Sequence, residues 1–199
     1  MTESNHRISE YDVDPLFLNR WSPRAFSGEA LDEQALLTIL DAGHWAPSAF
    51  NSQPWRFVYA LRDTPEWDKL FPILNDFNQS WAKTASAIVI LLSKTHFAAP
   101  GSSEEKLSYS HSFDAGAAWG AIALQAQLLG LQAHGMTGIH LDKAREILAI
   151  PEDGFRVEAA IAIGRPGDKT QLPDHLQGRE TPSPRRPLAQ VAFNGSFAG

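Results

Sequence analysis

Residues 113–129 are the stretch that most limits what this chain can fold into. Their sequence, FDAGAAWGAIALQAQLL, is small and apolar almost all round when it is wound into a helix. A helix without a polar face has to be buried, and Ala and Gly let neighbouring backbones approach closely. We therefore expect a buried helix that packs against the rest of the chain or against a second copy of it.

Shorter stretches predict the elements that surround this helix. Residues 31–42 carry apolar side chains at helical spacing, and residues 143–148 predict a second short helix. Three segments rich in β-branched or aromatic residues, two of them continuous apolar runs typical of strands buried on both faces, predict a sheet. These strands are Trp55–Leu61, 87–92 and 157–164. The order of elements favours one α+β domain over residues 1–199.

Three other segments are predicted to lack regular structure. Residues 1–15 are polar and predict a flexible N-terminus. Residues 96–110 are polar, with Gly, Pro and Ser, and predict a mobile loop. Residues 165–199 contain many Pro and Gly and little periodicity, so we expect an extended C-terminal arm that lies on another surface.

Composition narrows the class of protein. With 199 residues, of which 43% are hydrophobic, the chain can bury one substantial core. Its net charge is −6 and its Lys and Arg are scattered, which disfavours nucleic acid as a partner. The absence of cysteine excludes disulfides and thiolate metal sites. No stretch suggests a signal peptide or a membrane helix, so we expect a cytoplasmic protein with no membrane partner.

Arg20, Ser22 and Arg24 occupy alternate positions in the sequence RWSPR. Pro23 disfavours a helical conformation for Ser22, so the segment is predicted to be extended, with these three side chains on one face. Two guanidinium groups and a hydroxyl group that converge in this way suit a phosphate monoester. The alternative is a pair of surface arginines neutralised by acidic neighbours.

The segment APSAFNSQPW, residues 46–55, lies between the first predicted helix and the first strand. Its Asn and Gln amides offer the donors and acceptors that the edge of a flavin or a pyrimidine requires, and prolines stiffen both ends. The candidate binding residues are Pro47, Ser48, Ala49, Asn51 and Gln53. The alternative is a simple turn that places Trp55 in the core.

Arg185 is the third candidate, because Pro184 and Pro187 present the Arg185–Arg186 pair rigidly. Exposed arginines are usually solvated, so this segment alone is only suggestive. The seven histidines show no metal-binding spacing, and no nucleophile or phosphate-loop motif occurs. We therefore predict no metal site and assign no catalytic side chain.

In order and spacing, these segments resemble the nitroreductase family of flavoproteins from residue 18 to residue 193. The family's PSxxNxQPW signature, here at residues 47–55, is the most specific part. The resemblance implies that Arg20, Ser22, Arg24 and Arg185 contact the phosphate and ribityl chain of FMN. It also implies that a backbone N–H at Thr137 or Gly138 binds flavin N5.

Two further positions bear on the flavin pyrimidine. The resemblance implies a polar contact from Asn78, which precedes the strand at residues 87–92. Some relatives place a basic residue a few positions later, where this chain has Trp81. This departure leaves open which residue contacts flavin O2.

The resemblance implies an architecture as well. We expect a central antiparallel sheet flanked by helices, and a homodimer that exchanges its terminal arms. The two FMN sites would lie at the dimer interface, with the phosphate-binding arginines from one subunit and the PSAFN loop, residues 47–51, from the other.

The activity that the resemblance implies is hydride transfer from NADPH or NADH through FMN to a small oxidised acceptor, such as a nitroaromatic or a quinone. Both substrates would use one pocket in turn, in a ping-pong cycle, without a side-chain acid or base. Two alternatives stay open. One is a non-redox module that binds flavin or a phosphorylated ligand, and the other is a dehalogenating or flavin-cleaving member of the family.

Overall fold

The computed structural model describes residues 1–197. Within them the chain forms seven α-helices and eight strands, with four short 3-10 turns between them. The helices are α1 (Pro15–Asn19), α2 (Glu33–His44), α3 (Pro65–Leu70), α4 (Asp76–Ala82), α5 (His111–Leu128), α6 (Leu141–Ile147) and α7 (Asp174–Gln177). The strands are β1 (Thr2–Ser4), β2 (Arg7–Ser9), β3 (Trp55–Leu61), β4 (Ala87–Lys94), β5 (His96–Ala98), β6 (Glu105–Leu107), β7 (Gln132–Met136) and β8 (Phe155–Gly164).

An antiparallel sheet with the strand order β3-β4-β8-β7 forms the centre of the fold. Both of its faces are covered, because alternate residues of β4 enter two different hydrophobic clusters. Ile88 and Ile90 pack with α3, α4 and α6, whereas Val89 and Leu91 pack with α2 and α5. The predicted antiparallel sheet flanked by helices is therefore confirmed.

Helix α5 is buried along one face only. Ala115, Ala118 and Ile122 on this face pack against α2 and the sheet and are fully buried. On another face Phe113 is 82% exposed, and a Cβ added at Gly116 or Gly120 would meet no atom within 4 Å. A single chain therefore covers only part of the surface that the sequence predicted to be buried.

Residues 96–110 differ from the prediction of a mobile loop, because β5 and β6 pair as an antiparallel hairpin. Phe97 lies opposite Lys106, and Gly101 adopts a positive φ of 85° in the turn that joins the strands. The polar composition of these residues suggested a loop and gives no sign of the pairing. No helix of the described residues is long and apolar enough to cross a membrane.

The terminal segments pack on the chain to different extents. At the N-terminus, where we predicted a flexible segment, β1 and β2 form a hairpin whose turn holds Asn5 and His6 at positive φ. In the C-terminal arm, Leu172 and Leu176 enter the core, whereas the chain from residue 181 to residue 197 is almost entirely exposed. Of the predicted arm, therefore, only residues 181–197 extend from the chain without being buried against it.

Candidate active site

Three guanidinium groups from distant parts of the sequence meet where α1 ends. Arg20 caps the C-terminus of α1, Arg7 comes from β2, and Arg185 comes from the exposed arm. Burial and the positive charge of Arg185 both lower the pKa of Arg20. Burial, Arg185 and Arg20 lower the pKa of Arg7 in the same way. Within residues 1–197, none of the three forms an ion pair with a carboxylate.

Arg7 was missed by the sequence analysis, although it lies at the centre of this arginine cluster (Arg7, Arg20 and Arg185). Its Nη1 donates hydrogen bonds to the carbonyl oxygens of Leu18 and Arg20, both at 2.8 Å. Its Nε donates to the carbonyl oxygen of Ser183 at 3.0 Å. No local signal could have identified it, because it is a single arginine in a polar segment that we predicted to be flexible.

Arg24 has different neighbours from Arg20, although the two belong to one motif. Its guanidinium lies over the Trp81 ring, 5.9 Å from the centroid. Burial and Arg179 lower the pKa of Arg24, while Glu180 raises it. Within the described residues, Arg24 Nε is buried without a hydrogen-bond partner. Arg20 and Arg24 thus have different neighbours in a single chain, and the joint action of Arg20, Ser22 and Arg24 on one ligand stays a prediction.

Glu180 fixes the backbone beside Arg24. Its Oε1 accepts hydrogen bonds from the backbone N–H groups of Arg24, at 2.6 Å, and of Ala25, at 2.7 Å. Glu180 is 9% exposed, and its second oxygen is buried without a partner in the described part of the chain. A carboxylate from the C-terminal segment thus anchors the backbone of the Arg20–Arg24 motif.

His134 on β7 completes this packed group. Its Nδ1 lies 2.8 Å from the carbonyl oxygen of Pro23, and its ring lies 4.6 Å from the ring of Trp81. Desolvation outweighs the hydrogen bond to Pro23, so the pKa of His134 falls to about 4. At neutral pH the imidazole is therefore uncharged, and its Nδ1–H donates to Pro23.

Helix α4 links Arg24 to the predicted loop at residues 137 and 138. Trp81 lies one turn after Asn78, whose Nδ2 donates to the carbonyl oxygen of Gly138 at 2.8 Å. Asn75 N–H donates to the same oxygen at 3.0 Å. Within residues 1–197 Gly138 hydrogen-bonds only through its carbonyl oxygen, and its N–H has no hydrogen-bond partner. Asn78, Thr137, Gly138 and Arg24 thus lie around one helix.

Residues 49–51 form a 3-10 turn between α2 and β3, and this region has an unusual backbone. Phe50, Asn51 and Gln53 all have positive φ values, of 53°, 54° and 47°. Residues other than glycine rarely adopt such a conformation, and clusters of them occur at functional sites. Ser48 accepts a hydrogen bond from Gln53 N–H through its hydroxyl, at 3.0 Å, which closes the turn.

This amide loop (residues 47–53) is tied to α5 rather than to the other candidate residues. Ala49 N–H donates to Asp114 Oδ2 at 3.2 Å, and Phe50 stacks on Phe97 of the β5–β6 hairpin at 5.6 Å. Beside it lies an open cavity of about 570 Å³, lined by aromatic and polar side chains of the loop and the hairpin. In the described part of a single chain, no hydrogen bond joins the amide loop to the arginine cluster or to Gly138.

Comparison with known proteins decides the family. Residues 18–165 match the model of the nitroreductase family. The chain belongs to the nitroreductase family. The resemblance inferred from the motifs is therefore confirmed, and the match includes the Arg20 motif, the amide loop and α4.

Individual relatives match nearly all of the chain. A crystal structure described as an oxidoreductase containing FMN is 57% identical, covers all of both chains and has a TM-score of 0.95. A Desulfovibrio desulfuricans protein solved in complex with FMN is 28% identical over 96% of this chain and 100% of its own, with a TM-score of 0.70. A Thermus thermophilus protein named NADH dehydrogenase is 28% identical over 92% of this chain and 95% of its own length.

Proposed function

We propose that this nitroreductase-family protein is an FMN-dependent oxidoreductase that takes hydride from NADPH or NADH and passes it to a small oxidised acceptor, such as a nitroaromatic or a quinone. The observation that carries the proposal is the cluster of Arg7, Arg20 and Arg185, which has no carboxylate partner within residues 1–197. Like charges are held together at a cost, which a phosphate dianion would offset. The relatives that contain FMN support this choice of anion.

The residues of the site fit the parts of FMN. The arginine cluster suits the phosphate, and the free N–H of Gly138 suits a flavin acceptor such as N5. Arg24 Nε is a buried donor without a protein partner, and it is linked to Gly138 through α4. We propose that the Arg24 guanidinium donates to flavin O2, the contact that the sequence left open, instead of to the phosphate and ribityl chain as the resemblance implied. Asn51 and Gln53 supply amides for the pyrimidine edge.

Bound FMN would supply the hydride chemistry, accepting from the nicotinamide and giving to the acceptor in turn. The chain binds the cofactor, orients it and keeps positive charge near its pyrimidine ring. We assign no side chain as acid or base. One shared pocket, occupied first by the nicotinamide and then by the acceptor, gives a ping-pong cycle.

A homodimer with FMN at the interface would bring the separate groups together. In one chain the amide loop makes no contact with the arginine cluster, and the open face of α5 carries Phe113, Gly116 and Gly120. The arm from residue 181 onward exposes Leu188, Val191 and Phe193. A second copy would cover these surfaces, as in permanent dimers that bury more than about 2,000 Å².

The first experiment measures cofactor binding. Apo protein titrated with FMN and with riboflavin should prefer FMN, and Arg20→Ala and Arg185→Ala should each weaken FMN binding by about 1.5–3 kcal/mol. Turnover per bound flavin should change less than occupancy, because neither arginine would touch the reacting ring. Equal affinity for riboflavin and FMN in the unsubstituted protein would contradict the phosphate site.

Sedimentation should give a dimer, and a stable FMN-loaded monomer would contradict the interface site.

The second experiment tests the reaction. NADPH or NADH should bleach the bound flavin without oxygen, and initial rates with a quinone should give parallel double-reciprocal lines. Intersecting lines would show that both substrates bind at once. Flavin that no nicotinamide bleaches would favour a non-redox flavin-binding protein. Asn51→Ala should change the flavin potential at nearly full occupancy, unlike the arginine variants.

A further inference from the structure

Arg7 connects the two segments that carry the other members of the arginine cluster. We propose that Arg7 is a positioning residue of the phosphate site, which holds Arg20 and Arg185 side by side and thereby sets the preference for FMN over riboflavin. The proposal rests on the proposed FMN site and adds to it the N-terminal hairpin, which no motif marks.

The hydrogen bonds of Arg7 define this role. Nη1 donates to the carbonyl oxygens of Leu18 and Arg20 at 2.8 Å, so it grips the end of α1 where Arg20 begins the motif. Nε donates to the carbonyl oxygen of Ser183 at 3.0 Å, two residues before Arg185. One guanidinium therefore joins the α1 end to the C-terminal arm. The planar fork of an arginine presents donors on separate nitrogens, whereas a lysine would have to serve all three carbonyl groups from one nitrogen.

The exposed arm needs such a connection. Residues 183–190 are exposed, and the hydrogen bonds of Arg185 within the described residues reach only the neighbouring carbonyl oxygens of Ser183 and Pro184. Without Arg7 the arm near Arg185 would lose its hydrogen bond to the N-terminal hairpin. Repulsion between the two remaining cations, Arg20 and Arg185, which contributes to the lowered pKa of Arg20, would then favour moving Arg185 away.

The hairpin is itself fixed to α1, so it can act as a support. Asn5 Nδ2 donates to the carbonyl oxygen of Asn19 at 3.2 Å, and Ser4 hydrogen-bonds the Asn19 side chain. The contacts of Arg7 are therefore part of a set that holds β1 and β2 against the end of α1. A phosphate would meet two arginines that are already in place, which reduces the entropy lost on binding.

The test compares Arg7→Ala and Arg7→Lys with a matched control in the full-length protein. Lysine keeps the charge but loses the fork. The control is Arg145→Ala, because Arg145 also donates to backbone carbonyl oxygens, those of Pro151 and of Phe155 at the start of β8, away from the cluster. Dissociation constants for FMN and for riboflavin are measured for each protein, and melting temperatures are measured without flavin.

We expect both Arg7 variants to lower the preference for FMN over riboflavin, by about tenfold for Arg7→Ala and less for Arg7→Lys. Riboflavin affinity should stay within about twofold of the parent, as should the preference of Arg145→Ala. The proposal would be overturned if either Arg7→Ala or Arg7→Lys kept the parent's preference for FMN over riboflavin. Equal losses of affinity for FMN and for riboflavin would mean that Arg7 only supports the fold, and this would also contradict the proposal. If the parent protein itself binds both flavins equally, the proposed function fails instead.

Discussion

Arg20 and Arg24 stand four residues apart in one motif, yet they lie in contrasting surroundings. Arg20 faces two other guanidinium groups, one of which comes from an exposed arm. Arg24 lies over the Trp81 ring, and its backbone N–H binds the buried carboxylate of Glu180. The first region is a set of unneutralised charges. The second is packed, and Glu180 satisfies its backbone N–H groups, although Arg24 Nε, Trp81 Nε1 and Glu180 Oε2 have no hydrogen-bond partner within the described residues.

The difference suggests that two arginines of one motif can have separate roles, one in ligand binding and the other in the stability of the fold. The Arg20 region is expected to contribute little to the stability of the apo protein, because its positive charges repel one another when no anion is bound. The Arg24 region is expected to contribute to stability directly, because its backbone donors and Trp81 are buried. Substitutions in the two regions should therefore separate ligand affinity from stability.

The largest expected effect tests the anchor of the Arg24 region. Glu180→Ala leaves the N–H groups of Arg24 and Ala25 without an acceptor, and it should lower the free energy of unfolding by about 2–4 kcal/mol. Glu180→Gln keeps an amide oxygen in place and should cost about half as much or less. Urea denaturation of the apo protein measures both.

The matched control is Arg20→Ala, which should change the unfolding free energy by less than about 0.5 kcal/mol while it weakens FMN binding. Equal losses in Glu180→Ala and Glu180→Gln would mean that the two backbone hydrogen bonds contribute nothing. A large loss in Arg20→Ala would remove the contrast between the two regions.

The next prediction concerns the close backbone approach behind Arg24. Gly167 N–H donates to the carbonyl oxygen of Ala25 at 2.8 Å, and a Cβ on Gly167 would lie 2.4 Å from the carbonyl carbon of Phe26. Gly167→Ala must therefore push two backbone segments apart, at a cost of about 1–3 kcal/mol in unfolding free energy. Gly178→Ala is the control, because a Cβ there meets nothing within 4 Å and its φ is −68°. Equal stabilities would refute the close packing.

Much of the fold follows from periodicity and apolar runs. The Trp55–Leu61 strand was predicted with its bounds, and the helix at residues 31–42 lies within two residues of α2. Strand β7 was not predicted, because Gln132–Met136 contains a histidine and a glycine and has neither an apolar run nor a regular alternation. Its strand conformation comes from pairing with β8, which no local pattern reveals. The β5–β6 hairpin was missed for the same reason.

The candidate site also contains some residues that local patterns reveal and others that only tertiary packing reveals. Local residue types and spacing pointed to the amide loop and the Arg20 motif, whereas Asn78 was proposed only from the family resemblance. Arg7 and Glu180 were not found, since each acts on residues more than ten positions away: Arg7 on Leu18, Arg20 and Ser183, and Glu180 on Arg24 and Ala25. Such contacts depend on tertiary packing, and an isolated charged residue in a polar segment carries no sign of them.

The smallest expected effect is the dependence of stability on pH in the Arg24 region. His134 has a pKa of about 4 in the folded protein, below its ordinary value of 6.5, because it is desolvated beside Trp81 and Arg24. The unfolded chain therefore binds a proton first as the pH falls. The stabilisation is present in full above pH 6.5 and is lost between pH 6.5 and about 4, with a slope of up to about 1.4 kcal/mol per pH unit.

His134→Gln tests this slope, because the glutamine amide can still donate to Pro23 but does not titrate. Between pH 6.5 and 4 the unfolding free energy of the variant should fall less steeply than that of the parent, whereas the exposed-site control His44→Gln should follow the parent. The arginine cluster keeps its charge throughout this range, so it should add nothing to the difference. Identical slopes for the parent and His134→Gln would mean that His134 is not buried in its neutral form, and the packed description of the Arg24 region would then be wrong.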